Sequence, residues 1–448
     1  LQLLAELTDA SDDRHVFTAA ADTIPDLVRL LASKDSTVQK ATTRILWGLS
    51  TWSEAYCAAI IATGGLPGLE NVLQSNSADP TTQEAAARTL WSLASSEPGF
   101  DESCTFIASS SPAHEGLLST LVRLLDSSTP APVQLAAAGV LINVSAHEHS
   151  SAALASNSGA VPAMMQLLQS STDHMLLELV LGTLYNMVTN CSTDHSPYID
   201  VQALTSSPPS SSASALLKDA AGLMVSFLAS SSTGVQAGAA KLLWALCHHY
   251  QQQGFSGTYH ALIHSIAADH GIPALIHLLK GDDEAAQEAA VSVLAHLTAA
   301  ATGAHELAAP AAAGVCSADL DSPCCEEYLS GDHGTHTCFN AELDNSSSSS
   351  KDSGYCSSSI MEQMVSAGGI PALQQLLHNP AQNEKLRVLA ALELGRLSAV
   401  AEYRRLIRGG GGVAIGDLLE LMRCSEEDQE AEQATWAYMQ LVGPRDEK

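Results

Sequence analysis

Aromatic side chains are scarce in this chain: tryptophan, tyrosine and phenylalanine together make up 4% of 448 residues. Ala, Ser and Leu dominate instead, which disfavours a β-sandwich and favours closely packed helices. Basic residues are also few. Lys and Arg number 20 against 49 Asp and Glu, a formal net charge of −29, which argues against nucleic acid or an anionic membrane as partner. No run approaches the roughly 18 to 20 consecutive apolar residues of a membrane helix, and no charged, apolar, small-residue leader opens the sequence. A cytoplasmic or nuclear compartment is therefore expected. Five of the ten cysteines fit a reducing environment: Cys57, Cys104, Cys191, Cys247 and Cys424 stand singly in helical or helix-adjacent text, where a reduced, part-buried thiol is the ordinary state.

What is present is repetition. The segments "TIPDLVRLLAS" from Thr23, "GLPGLENVLQS" from Gly65, "AVPAMMQLLQS" from Ala160, "GIPALIHLLKG" from Gly271 and "GIPALQQLLHN" from Gly369 align with one another. Each puts an apolar residue and Pro at a helix start, where the missing N–H costs nothing, then apolar residues three and four apart that form one buried stripe. Gly64, Gly65, Gly159, Gly271, Gly368 and Gly369 stand where the preceding helix must stop in a left-handed turn. A longer helix follows each time, as in "TVQKATTRILWGLS", "TTQEAAARTLWSLAS", "PVQLAAAGVLINVSA" and "AAQEAAVSVLAHLTAA". Short helices such as "SEAYCAAIIATG" and "IMEQMVSAGG" separate the units.

This three-helix unit resembles the armadillo repeat over nearly the whole chain. A partial third helix over 1–10 and eight repeats beginning near residues 11, 52, 100, 147, 191, 252, 358 and 400 are expected. Because "LQLLAELTDA" reads as the end of an apolar helix without its beginning, further chain is expected upstream. One unit cannot bury its apolar faces alone, so the expected fold is all-α, a right-handed armadillo-type α-α superhelix, or solenoid. The resemblance implies that the third helices line its concave side. On this division, residues 11–301 hold repeats one to six, with a Ser/Pro-rich insertion near 191–213. Residues 302–357 are a second insertion, rich in Ser and Cys, and 358–448 hold repeats seven and eight. Both insertions are too polar to bury much surface and are expected to be disordered.

The text "RILWGLS", "RTLWSLA" and "KLLWALC" recurs in three third helices. At 100° per residue, Ala41, Thr42, Ile45, Leu46 and Leu49 share one arc, and Trp47 lies about 170° from its centre, outside the core of its own repeat. The column through Trp47 reads Ala5, Trp47, Trp91, Ile142, Tyr185, Trp244, Ala295, Gly395, Met439; three residues earlier it reads Gln2, Arg44, Arg88, Gly139, Gly182, Lys241, Ser292, Leu392, Trp436. The first is rich in aromatics and the second in bases, both against the composition. Two readings compete: aromatics sealed between neighbouring third helices with Arg stems covering apolar surface, or a binding groove of flat rings and charged donors. On the second, Arg44, Trp47, Arg88, Trp91, Tyr185, Lys241 and Trp244 face a partner segment bearing acidic or phosphorylated residues.

In armadillo proteins that resemble importin-α, Trp and Asn four residues apart recur in the third helices. Here the Asn column reads Glu6, Gly48, Ser92, Asn143, Asn186, Ala245, His296, Arg396, Gln440, so that regular array is absent and import-adaptor activity is not expected. Asn143 and Asn186 suit either a clamp on a bound backbone or a bond between helices. His296 and Arg396 complete the candidate groove.

Other chemistry is thin. Cys316, Cys324, Cys325, His333, His336, Cys338 and Cys356 lack the paired spacing of a zinc knuckle, and His260 and His264, one helical turn apart, lack the glutamate of a zincin motif. "RGGGG" at Arg408 has no Lys-Ser/Thr of a phosphate loop, although Arg404, Arg405 and Arg408 make a basic spot beside it. No catalytic constellation, metal or cofactor is expected. The reading is a non-catalytic scaffold binding an extended or helical protein segment; alternatives are the substrate-recruiting arm of a larger enzyme such as a U-box ubiquitin ligase, and a cytoskeletal or ciliary structural element.

Overall fold

The computed structural model describes residues 23–75, 79–109, 116–190, 213–252, 256–302, 360–409, 413–424 and 428–442. The expected partial helix at 1–10 and nearly all of the two insertions lie outside them. Every regular element among the described residues is helical, and the chain divides into two compact units, Leu1–Ala290 and Val291–Lys448.

In the first unit the helices are α1 (Ile24–Leu30), α2 (Ser36–Trp52), α3 (Glu54–Ala62), α4 (Gly65–Gln74), α5 (Pro80–Ser95), α6 (Phe100–Ala108), α7 (Leu117–Arg123), α8 (Ala131–Ala146), α9 (Glu148–Ser156), α10 (Ala160–Ser170), α11 (His174–Asn190), α12 (Ala213–Leu228), α13 (Thr233–Gln252), α14 (Ser256–Ala268) and α15 (Gly271–Leu279). Helix α16 (Glu284–Thr302) leads into the second unit, which continues with a helical stretch over 360–366, then α17 (Gly369–His378), α18 (Glu384–Leu397), α19 (Ala401–Gly409), α20 (Val413–Cys424) and α21 (Asp428–Val442). Helices follow one another in triplets, α3–α5, α6–α8, α9–α11, α14–α16 and α19–α21.

Local chemistry explains the boundaries. Asp35 caps α2, accepting from Thr37 N at 2.8 Å, and Asp79 caps α5, accepting from Thr82 N at 2.9 Å, each satisfying amides that the first helical turn leaves open. Gly64 and Gly368 take φ of 82° and 85° between first and second helices, the left-handed turn that glycine enters at little cost. His270 makes the same turn without being glycine, at φ 62°.

A second device was missed by sequence reading. Eight residues before the Trp column stand Gln39, Gln83, Gln134, Leu177, Gln236, Gln287 and Arg387, and five of these reach back to the end of the preceding second helix. Gln39 Nε2 donates to Leu31 O at 2.9 Å, Gln134 to Asp126 O at 2.7 Å, Gln236 to Ser230 O at 2.7 Å, Gln287 to Gly281 O at 2.6 Å, and Arg387 Nε to Leu377 O at 3.1 Å. These bonds occupy carbonyls that a helix C-terminus leaves without partners and fix the angle between second and third helix. The "x-x-Q" text that opens these helices was the available signal.

Within the first unit the third helices α2, α5, α8, α11 and α13 pack side by side in that order. Each is buried on more than one side. In α2 the buried set is Thr42, Thr43, Ile45, Leu46, Leu49 and Ser50, wider than the expected arc because helices press on both flanks; Ala41, expected inside, is half-buried. Among the described residues no single helix is long and apolar enough to cross a membrane.

Candidate protein-binding face

Trp47 lies off the core of its own repeat, as the helical wheel requires, and is half-buried. The guanidinium carbon of Arg88, on the next third helix, stands 5.1 Å from the centre of its ring, and Arg88 Nε donates to Glu84 Oε1 at 2.8 Å. One helix further on, the indole of Trp91 rests on Gly139 where a side chain would otherwise begin. A Cβ on Gly182 would lie 2.8 Å from Ile142 Cδ1. The Trp column of one repeat thus packs on the column three residues earlier in the next. In the second unit the sizes reverse across the same pair of columns: a Cβ on Gly395 would lie 2.8 Å from Trp436 Cζ3.

The two columns are therefore the two sides of one contact, each large residue matched to a small or stackable one. Sequence reading treated them as separate stripes, although Trp91 with Gly139 and Trp436 with Gly395 carried the signal. Sealing does not consume the rings: Trp47, Trp91, Tyr185 and Trp244 all keep part of their surface exposed.

Amides continue the line. Asn143 Nδ2 donates to Ser95 Oγ at 2.8 Å, Asn186 Nδ2 to Ser145 Oγ at 3.1 Å, and Asn190 Nδ2 to Ser145 O at 2.8 Å, each across to the preceding third helix. Of the two roles open to Asn143 and Asn186, the helix-to-helix bond is the one formed. It uses only the amide N–H groups; among the described residues nothing donates to either amide oxygen, which can still accept. Tyr185 and Trp244 stand 6.3 Å apart, and His248 stacks on Trp244 at 5.7 Å with 18° between planes. Burial, with His249 as a like-charged neighbour, lowers the pKa of His248, so it is a neutral ring near pH 7.

Two candidates belong to the second unit and stand differently. His296 is buried, 7% exposed. Arg396 is 12% exposed, and its Nη1 pairs at 3.2 Å with Oε2 of Glu393, whose side chain is fully buried. Burial raises the Glu393 pKa against the pull of Arg396 and Thr298. The basic spot near the glycine run is likewise committed to structure: Arg404 Nε donates to Ser398 O at 2.8 Å and Arg408 Nε to Leu441 O at 2.6 Å.

His260 and His264 are exposed on α14, and among the described residues no group of three or more His, Cys, Asp or Glu is placed to hold a metal ion. The Cys/His cluster between 316 and 356 lies outside the described residues. Cys57, Cys104 and Cys247 are buried thiols; desolvation pushes the Cys104 pKa up to about 12 and raises those of Cys57 and Cys247.

The profile of the armadillo/β-catenin-like repeat matches residues 53–95 and 262–299, the spans of α3–α5 and of α14–α16. These two segments are armadillo/β-catenin-like repeats. An engineered protein solved by the Northeast Structural Genomics Consortium has the same fold, with 21% identity, a TM-score of 0.56, and coverage of 98% of this chain and 93% of the other. A designed armadillo repeat protein aligns at 18% identity with a TM-score of 0.46, covering 61% of this chain and 99% of its own. No curated protein matches this chain.

Proposed function

We propose that the face formed by α2, α5, α8, α11 and α13 binds an extended or helical segment of a partner protein. Armadillo repeats generally serve as protein-binding solenoids, and the observation that carries the reading here is the unbroken line of part-exposed rings and amides: Trp47, Trp91, Asn143, Tyr185, Asn186 and Trp244. Each is held from behind by a neighbouring helix and so is ordered before a partner arrives, which lowers the entropy cost of association. The amide oxygens of Asn143 and Asn186 accept backbone N–H groups of the guest. Arg44 and Lys241 favour guests with acidic or phosphorylated side chains, while Arg88 contributes less because Glu84 already neutralises it. In this reading the chain acts as a scaffold, and its chemistry is recognition.

A photo-crosslinking amino acid placed at Thr51 or Ala146, exposed near this face, and at Ser170 on α10 as control tests the reading. The expected result is cross-linking to a discrete partner from the first two positions, competed by the unmodified chain and lost when Trp47, Trp91 and Trp244 are replaced together. Equal labelling from Ser170, or capture that survives the triple replacement in a protein of unchanged helicity, would overturn it.

A further inference from the structure

We propose that Tyr185, Trp244 and His248, with Lys241 beside them, form a docking point for a partner side chain that is aromatic and adjoins an acidic residue. This rests on the reading of the third-helix row as a binding face and names the guest at one place on it.

From α5 to α8 and from α8 to α11 a large residue of one helix meets glycine on the next, as Trp91 meets Gly139 and Ile142 meets Gly182. Between α11 and α13 the pattern changes. Tyr185 and Trp244 occupy the same column on successive third helices and stand ring beside ring at 6.3 Å, and His248, one turn further along α13, extends the surface by stacking on Trp244 at 5.7 Å. All three are half-buried. Three adjoining rings make a flat, rigid, partly desolvated surface, which takes another ring in offset or edge-on geometry.

The charge beside it is simple. Lys241 and Glu178 are the only Lys, Arg, Asp or Glu in α11 and α13. Glu178 lies two turns before Tyr185, and its Oε1 accepts from Ser232 Oγ at 2.6 Å. Lys241, one turn before Trp244, is half-buried and makes no hydrogen bond or ion pair with the described residues. Two other cations of the row are matched: Lys40 lies 3.5 Å from Asp79 and Arg88 2.8 Å from Glu84. Rings alone would welcome a cation, but Lys241 opposes one at short range, whereas the chain's distant negative charge is screened beyond about 10 Å at 0.1 M salt. A carboxylate next to a guest ring supplies the missing partner for Lys241.

Selection of random twelve-residue peptides displayed on phage, against the whole chain, tests this. Enriched peptides are expected to carry Phe, Tyr or Trp adjacent to Asp or Glu. Their affinity should fall about fivefold in Lys241→Met and about thirtyfold in Lys241→Glu or Trp244→Leu, with circular dichroism establishing that each variant is folded. Lys241→Met leaves the core untouched, so its loss of affinity is read independently of any folding defect in Trp244→Leu. Enrichment of basic peptides, equal binding to Lys241→Glu, or no enrichment would overturn the docking point. Peptides that depend on Arg44 and Trp47 but not on Lys241 and Trp244 would sink this inference and leave the binding face standing; peptides indifferent to all four would sink both.

Discussion

The indole of Trp91 rests on the α-carbon of Gly139, so α5 and α8 are held together by a large residue on one helix fitting the absence of a side chain on the next. Gly139→Ala should therefore destabilise the first unit although alanine favours helix. Overpacking costs about 1–3 kcal/mol against a propensity gain of about 1 kcal/mol, and the indole, pinned between helices, cannot swing aside cheaply. Thermal unfolding should show a lowered midpoint, and combining the change with Trp91→Ala should recover part of it. A midpoint unchanged in Gly139→Ala would mean that the two helices are not locked at this contact.

Glu393 and Arg396 form a pair of which one member has no access to solvent. Arg396→Met should cost about 3–5 kcal/mol near neutral pH, because it strands a buried carboxylate, and adding Glu393→Gln should return much of that loss. Chemical denaturation of the four variants measures the coupling.

The same carboxyl gives a pH dependence of unusual sign. Its folded pKa is raised by burial, so between the unfolded and folded values the native state holds more protons than the unfolded state, and stability falls as pH rises through that window. The contribution is greatest below the unfolded value of about 4.3. Glu393→Gln should flatten this part of a stability-against-pH curve, and an unchanged slope would place the proton elsewhere.

Asp79 behaves in the opposite sense. Partial burial opposes its charge, yet hydrogen bonds from Thr81 and Thr82 outweigh that and hold its pKa at about 2. Being depressed, it stabilises the fold above the unfolded value near 3.9, and the benefit is lost as pH falls toward 2. Asp79→Ala should cost about 1 kcal/mol at pH 7 as a lost helix cap, with little cost at pH 2. Equal destabilisation at both pH values would contradict the capping role.

Gln134 closes the end of α7 through Asp126 O and Leu125 O. Gln134→Leu should cost about 1 kcal/mol and speed amide hydrogen exchange over residues 124–130, leaving α10 and α11 unaffected. The fourth repeat carries Leu177 at the equivalent place, so the fold should survive the change.

Much of this was legible in the chain. Pro after an apolar residue, glycine before it, and apolar residues at helical spacing are local signals, and they set the helix order and the exclusion of Trp47 from its own core. The wheel of a single helix could also place Arg44 on a flank of α2 and Trp47 nearly opposite its buried arc. It could not say that Arg88 would spend its charge on Glu84 and its flat face on Trp47, nor that Arg396 would be held by a buried Glu393.

Periodicity within a helix depends only on its own backbone geometry, so the sequence by itself determined an all-α repeat with an aromatic and a basic column. Which column meets which depends on how far each third helix slides against its neighbour. That offset arises from packing between repeats and from Gln39, Gln134, Gln236 and Gln287 reaching back to the preceding helix. Only the tertiary structure decided that Trp91 would sit on Gly139, that Asn143 would bind Ser95, and that Tyr185, Trp244 and His248 would stand together.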